Sequence, residues 1–261
     1  MEARKVNINN GWLWIKQGYW LFKKSPILLV VLGAIGIVGT IAIASISVVG
    51  DPLATLLFPV LFAGFMLGCR ALEQGDELEL AHLLSGLQNN PAQLITLGGI
   101  NLISQLLILG VMSLTGGEVL VDIIMAGHQP QDPTVFTQAI QGAGISLLLG
   151  MTLFSVLLMA MQFAPMLVVF HNMSPLRALS VSFKACLSNI IPLTLYASML
   201  LPFAILASVP MMLGWLVLVP VLITSMYAAY RDIFPEQLEA EQPAAAAEAT
   251  NDVNQDSPPP L

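Results

Sequence analysis

Charge is scarce in this sequence. Only 10% of its 261 residues are charged, against about 25% in a soluble domain. Hydrophobic residues make up 56%, and mean hydropathy is +0.81. A compact soluble core is excluded, because a globule still needs a wet exterior. Cysteine occurs twice and histidine three times, too few for a disulfide or metal framework. Cys69 and Cys186 read as small apolar residues near helix ends. His82, His128 and His171 fall on different elements. No phosphate-binding glycine loop or nucleophile elbow occurs, and no basic patch interleaved with aromatics suggests nucleic acid. The sequence therefore predicts no catalytic residue, no cofactor and no metal. "GDELE" (Gly75–Glu79) offers carboxylates without calcium-loop spacing and reads as a solvated helix start. The net charge of −7 misleads, since six of the 16 acids lie after Phe234.

What is abundant is long apolar runs. A helix needs roughly 20 apolar residues to cross a bilayer. Six such runs are predicted, at 27–49, 53–70, 94–114, 144–170, 191–209 and 212–230. "GDP" (Gly50–Pro52) separates the first two and "VPMMLG" (Val209–Gly214) the last two, so both pairs fold as hairpins. Arg4, Lys5, Lys16, Lys23 and Lys24 precede the first run. Arg70, Arg177, Lys184 and Arg231 follow even-numbered runs, and the outer loop 115–143 has acids but no Lys or Arg. The positive-inside rule then places both termini in the cytoplasm. A cleaved signal peptide has an apolar core of about 7–15 residues. The first run is longer, so the expectation is a retained anchor. Residues 1–26 read as a cytoplasmic segment with an interfacial helix, 27–234 as the membrane domain, and 235–261 as a disordered acidic cytoplasmic tail.

Three stretches before the hairpins end in polar, proline-containing corners: "FKKSP", "LQNNP" and "LSNIIP". Each is predicted to be an amphipathic helix along the membrane surface. Leu80, Leu83, Leu84 and Leu87 share one helical face, as do Leu176, Leu179, Phe183 and Leu187. The first stretch is aromatic and basic. Trp12, Trp14, Lys16, Tyr19, Trp20, Lys23 and Lys24 are expected at the headgroup level, with anionic lipid as partner. One gapless register maps Lys16 on Arg177, Phe22 on Phe183, Pro59 on Pro220 and Arg70 on Arg231. The pattern suggests three repeated units of interfacial helix plus hairpin. Inside the runs, Gly64 and Gly68 form a GxxxG spacing for close packing within or between chains. Asn101 and Gln105 lie roughly 10 and 16 Å deep and Gln162 roughly 12 Å, at about 1.5 Å per residue. The expectation is a hydrogen bond from Gln162 to the Asn101/Gln105 face, as structural glue or as the lining of a polar pocket.

"WLWIKQGYWLFKKSP" near the start and "MYAAYRDIF" ending at Phe234 resemble an uncharacterised family of bacterial inner-membrane proteins with six spans. In layout the chain is also similar to the wider group of YciC-type proteins and the membrane domain of some glycerophosphodiester phosphodiesterases. The resemblance covers about residues 10–234 and its motifs are architectural. It implies a bacterial cytoplasmic-membrane location and carries over no functional residue. No soluble phosphodiesterase domain is present in this sequence. The expected class is an all-α polytopic membrane protein of three hairpins with cytoplasmic interfacial helices. Its expected role is non-enzymatic binding of lipid or of a membrane-protein partner, including a second copy. The alternative is a small transporter or exporter of a hydrophobic molecule.

Overall fold

The computed structural model describes residues 3–47, 49–126 and 133–235. His128 and the acidic tail beyond Pro235 lie outside the described residues. All regular elements among the described residues are helical. Helix α1 (Asn10–Lys24) leads into a hairpin of α2 (Pro26–Ala44) and α3 (Gly50–Gln74). A 3-10 turn at Leu80–Leu84 and the short α4 (Ser85–Gln88) precede α5 (Pro91–Met112). A wide turn at Ser113–Gly117 joins α5 to α6 (Glu118–Ala126), and α7 (Pro133–Gly142) follows. The second hairpin returns through α8 (Gly144–Met161) and α9 (Ala164–His171). Helix α10 (Pro175–Ser188) and the hairpin of α11 (Ile190–Ser208) and α12 (Trp215–Ile233) complete the fold.

Six helical stretches are long and apolar enough to cross a membrane: Pro26–Ala44, Gly50–Gln74, Pro91–Ala126, Gly144–His171, Ile190–Ser208 and Trp215–Ile233. The fold is that of an all-α polytopic membrane protein. Proline opens α2, α5 and α10, where its missing N–H is not needed.

The six spans divide into two rings. Half or nearly half of the apolar window is buried in the second, fourth and sixth spans (50, 44 and 50%), but only 17% in the first, third and fifth. The returning arm of each hairpin is therefore inside. Each inner arm also carries a proline: Pro59, Pro165 or Pro220. Ring contacts of Phe170 with Tyr227 and Tyr230 join α9 to α12 at 6.3 and 5.5 Å between centroids.

A collar of short helices surrounds one end. Each collar helix sits on the hairpin before it, and α1 sits on the last one. Segment 80–88 packs on α3, α10 on α8 and α9, and α1 on α12 and α11. The three units thus close into a ring. Small residues make the seats. A Cβ on Gly18 would overlap Ser225, one on Gly64 would overlap the Leu83 carbonyl, and one on Gly86 that of Val60. The register that maps Pro59 on Pro220 also maps Gly64 on Ser225, so two collar helices use equivalent seats. On α10, Ala178, Ser182, Ala185 and Cys186 are buried.

The long fourth span is broken, as its proline dictates. Pro165 cannot donate a helical bond, and the helix is interrupted at Gln162 and Phe163, where Phe163 has φ −111° and ψ −5°. Ser182 repairs the break from α10. Its hydroxyl accepts from the Phe163 N–H at 3.0 Å and donates to the Met159 carbonyl at 2.9 Å. At the opposite end of the bundle, Leu120, Ala139 and Ala143 form a small separate apolar cluster.

Candidate functional site

The exposed face of α1 is a row of aromatic–lysine pairs. The lysine follows its aromatic by four residues, which places both on one helix face. Lys16 stands over the Trp12 ring at 5.5 Å, Lys23 over Tyr19 at 5.1 Å and Lys24 over Trp20 at 4.6 Å. Lys24 also donates to the Leu72 carbonyl at 2.8 Å, tying the start of the first hairpin to the end of α3. Trp12, Tyr19 and Trp20 are exposed.

Trp14 departs from the expected headgroup position. It is fully buried, its indole N–H donates to Asp232 Oδ2 at 2.8 Å, and its ring meets Tyr196 edge-on. The signal was in the spacing. Gly11, Trp14, Ile15, Gly18, Leu21 and Phe22 are the buried residues of α1 and form one helical stripe facing α11 and α12. The apolar stripes of the other collar segments are split. Leu80, Leu84, Leu87, Leu176 and Leu187 are exposed and Leu83 is buried, while Leu179 and Phe183 are half-buried.

Two apolar grooves open beside the collar. One, of about 640 Å³, lies between α1, α11 and α12. Trp12, Lys16 and Tyr19 line it on the α1 side, and Leu200, Leu206 and Val217 are among the residues that line its length. The other, of about 390 Å³, lies between α2, α3 and α12, with Leu83 of the collar at its edge.

Charged groups gather where the inner helices end. Glu73 pairs with Arg231 and accepts from the Tyr227 hydroxyl at 2.8 Å. The His171 Nε2 and the Tyr230 hydroxyl share a hydrogen bond of 2.7 Å. Arg70 lies over the Phe170 ring. Asp232 accepts from Arg4, Asn10 and Trp14. A cleft of about 250 Å³ beside this junction is lined by Arg4, Arg231 and Asp232, all engaged in these pairs. The arrangement locks α3, α9 and α12 together. Among the described residues, no group of three His, Cys, Asp or Glu could hold a metal.

The three intramembrane amides meet differently from expectation. Gln105 Nε2 reaches Asn101 Oδ1 on its own helix, at 3.4 Å. Gln162 instead points Nε2 toward Met226 Sδ on α12, at 3.8 Å. Gln162 ends α8 with helical backbone angles, φ −50° and ψ −51°. The expected contact rests on matching depths, and depth does not set which neighbour a helix face meets. Gly64 and Gly68 meet the 78–86 segment of the same chain, an intrachain use of the GxxxG spacing.

A Burkholderia thailandensis protein named as a probable inner membrane protein is 28% identical over 261 residues, covering 91% of this chain and 95% of that one. No family model and no solved structure matches. With its six apolar helices, the chain is a multi-pass inner-membrane protein.

Proposed function

We propose that this chain is a non-enzymatic membrane component that binds lipid, with its collar on the cytoplasmic face. The carrying observation is the aromatic–lysine face of α1, which stands beside an apolar groove. Aromatic rings favour the headgroup zone, and lysines attract anionic headgroups. Orientation rests on the charge pattern. Every Lys and Arg lies in or beside the collar, and the loop 115–143 has none. The non-enzymatic reading rests on the inner-end junction, where Glu73, Arg231, His171 and Tyr230 are consumed by one another. The architectural likeness to YciC-type proteins and to phosphodiesterase membrane domains accords with a supporting role in the membrane.

An alkaline-phosphatase fusion within 127–132 is expected to be active, and one after Gln88 inactive. The opposite pattern would invert the orientation. Lipid binding is tested by extracting the protein in mild detergent and identifying retained lipid by mass spectrometry. The rival reading is an exporter of a hydrophobic molecule, favoured by two grooves that are both apolar. Protein-dependent flux of an apolar dye from proteoliposomes would favour it.

A further inference from the structure

We infer that the groove between α1, α11 and α12 is a specific site for one anionic phospholipid, its phosphate at Lys16 and an acyl chain along the groove. This rests on the lipid-binding reading above and names the place and the ligand class. Three observations carry it. First, the groove is apolar along α11 and α12, with Leu200, Phe203, Leu206, Val217 and Leu218 in its lining. From Leu200 to Val209 the helical rise is about 14 Å, close to the depth of one leaflet of a hydrocarbon layer about 30 Å thick. An acyl chain fits that length and chemistry, whereas a polar solute would lose its hydration without replacement.

Second, the α1 side of the groove is amphipathic. Lys16 lines it together with Trp12 and Tyr19. The Lys16 ammonium lies on the Trp12 face, so cation and ring stand together at the headgroup end. Charge complementarity selects an anionic lipid over a zwitterionic one.

Third, the other groove is an internal comparison. It too lies between the two arms of a hairpin, with the next collar segment at its edge, but Leu83 is the collar residue that lines it. The acids Glu77 and Glu79 lie just ahead of that collar segment. Of the two grooves, the one under α1 therefore joins an apolar bed to a lysine.

The test uses the full chain in nanodiscs of mixed phosphatidylglycerol and phosphatidylcholine. Native mass spectrometry then counts the lipids retained on release. Lys16→Gln removes the charge, and Val217→Trp fills the bed. Both positions are exposed, so neither change opens the core. Lys184→Gln on the exposed side of α10 and Ile37→Trp in the other groove are the controls. Wild type is expected to retain one phosphatidylglycerol in preference to phosphatidylcholine. Lys16→Gln should lower its occupancy about fivefold, the effect of one basic residue near an anionic headgroup. Val217→Trp should remove both lipids, and the controls should behave as wild type. If wild type retains phosphatidylglycerol and Lys16→Gln and Val217→Trp do not change it, the site is overturned while lipid binding stands. Equal losses in Lys16→Gln and Lys184→Gln would mean diffuse attraction to the basic collar, which also overturns the site. If wild type retains no lipid, both the site and the lipid-binding reading fail.

Discussion

Replacing Asp232 with alanine should loosen the closure of the ring, and its cost can be worked from the contacts. Asp232 Oδ2 accepts from Trp14 Nε1 at 2.8 Å and from Asn10 Nδ2 at 2.6 Å. Oδ1 accepts from Arg4 at 2.6 Å. The indole of Trp14 is fully buried, so its orphaned N–H costs about 1–3 kcal/mol. The Asn10 bond adds about 1 kcal/mol. The Arg4 side chain is 55% exposed, so solvent screening leaves its ion pair worth about 0–1 kcal/mol. The expected loss is about 3 kcal/mol in total. Asp232→Asn, which keeps the shape and an acceptor, should lose about half of that. The assay is unfolding by sodium dodecyl sulfate in mixed micelles, followed by tryptophan fluorescence. A double-mutant cycle with Trp14→Phe should show a coupling of about 1–2 kcal/mol. A change below about 0.5 kcal/mol in Asp232→Ala would refute the reasoning, as would strict additivity with Trp14→Phe.

Gly18→Val should cost about 3 kcal/mol in the same assay, because its Cβ meets the backbone of Ser225 rather than a yielding side chain. Gly39→Ala, with open space around it, should not destabilise. Ser182→Ala should cost about 1–2 kcal/mol, since the hydroxyl bridges the break in the fourth span, whereas the exposed Ser180→Ala should be neutral. Maleimide should label Cys69 and Cys186 slowly in the native protein and rapidly after denaturation, because both thiols are buried. Burial pushes the Cys186 thiol from 9.0 up to about 12. Its contribution is therefore intact below pH 9.0 and lost as pH rises toward about 12. Denaturation at pH 8 and pH 11 should show wild type losing more stability than Cys186→Ala.

The membrane fold was legible because its cause is local. A run such as Ile27–Ala44 has no charge over its whole length, and no soluble structure offers it a home. Helix starts were legible for the same reason, since Pro26, Pro91 and Pro192 fall in the first turns of α2, α5 and α11. The partners of the amides were not. Counting residues gives the depth of Gln162 but not the neighbour its helix face meets, which is Met226 on α12. Nor did aromatic composition distinguish Trp14 from Trp12. Their burial differs because two residues turn a helix by more than half a circle, and the glycines at 11 and 18 mark which side is packed. The lysine pairs were accessible from i, i+4 spacing alone. The ring was not, because the seat of α1 on α12 joins residues more than two hundred positions apart.

The seating of α1 on the last hairpin gives the chain an order problem during synthesis. Each other collar helix emerges after the hairpin that receives it and can dock at once. The first one leaves the ribosome with its receiver still unmade. Until α12 is in the membrane, Trp14 has no Asp232 and the Gly11/Gly18 face has no partner. A chain stalled before its third hairpin therefore displays that face. The completed protein hides it, so the first helix made is the last to find its seat.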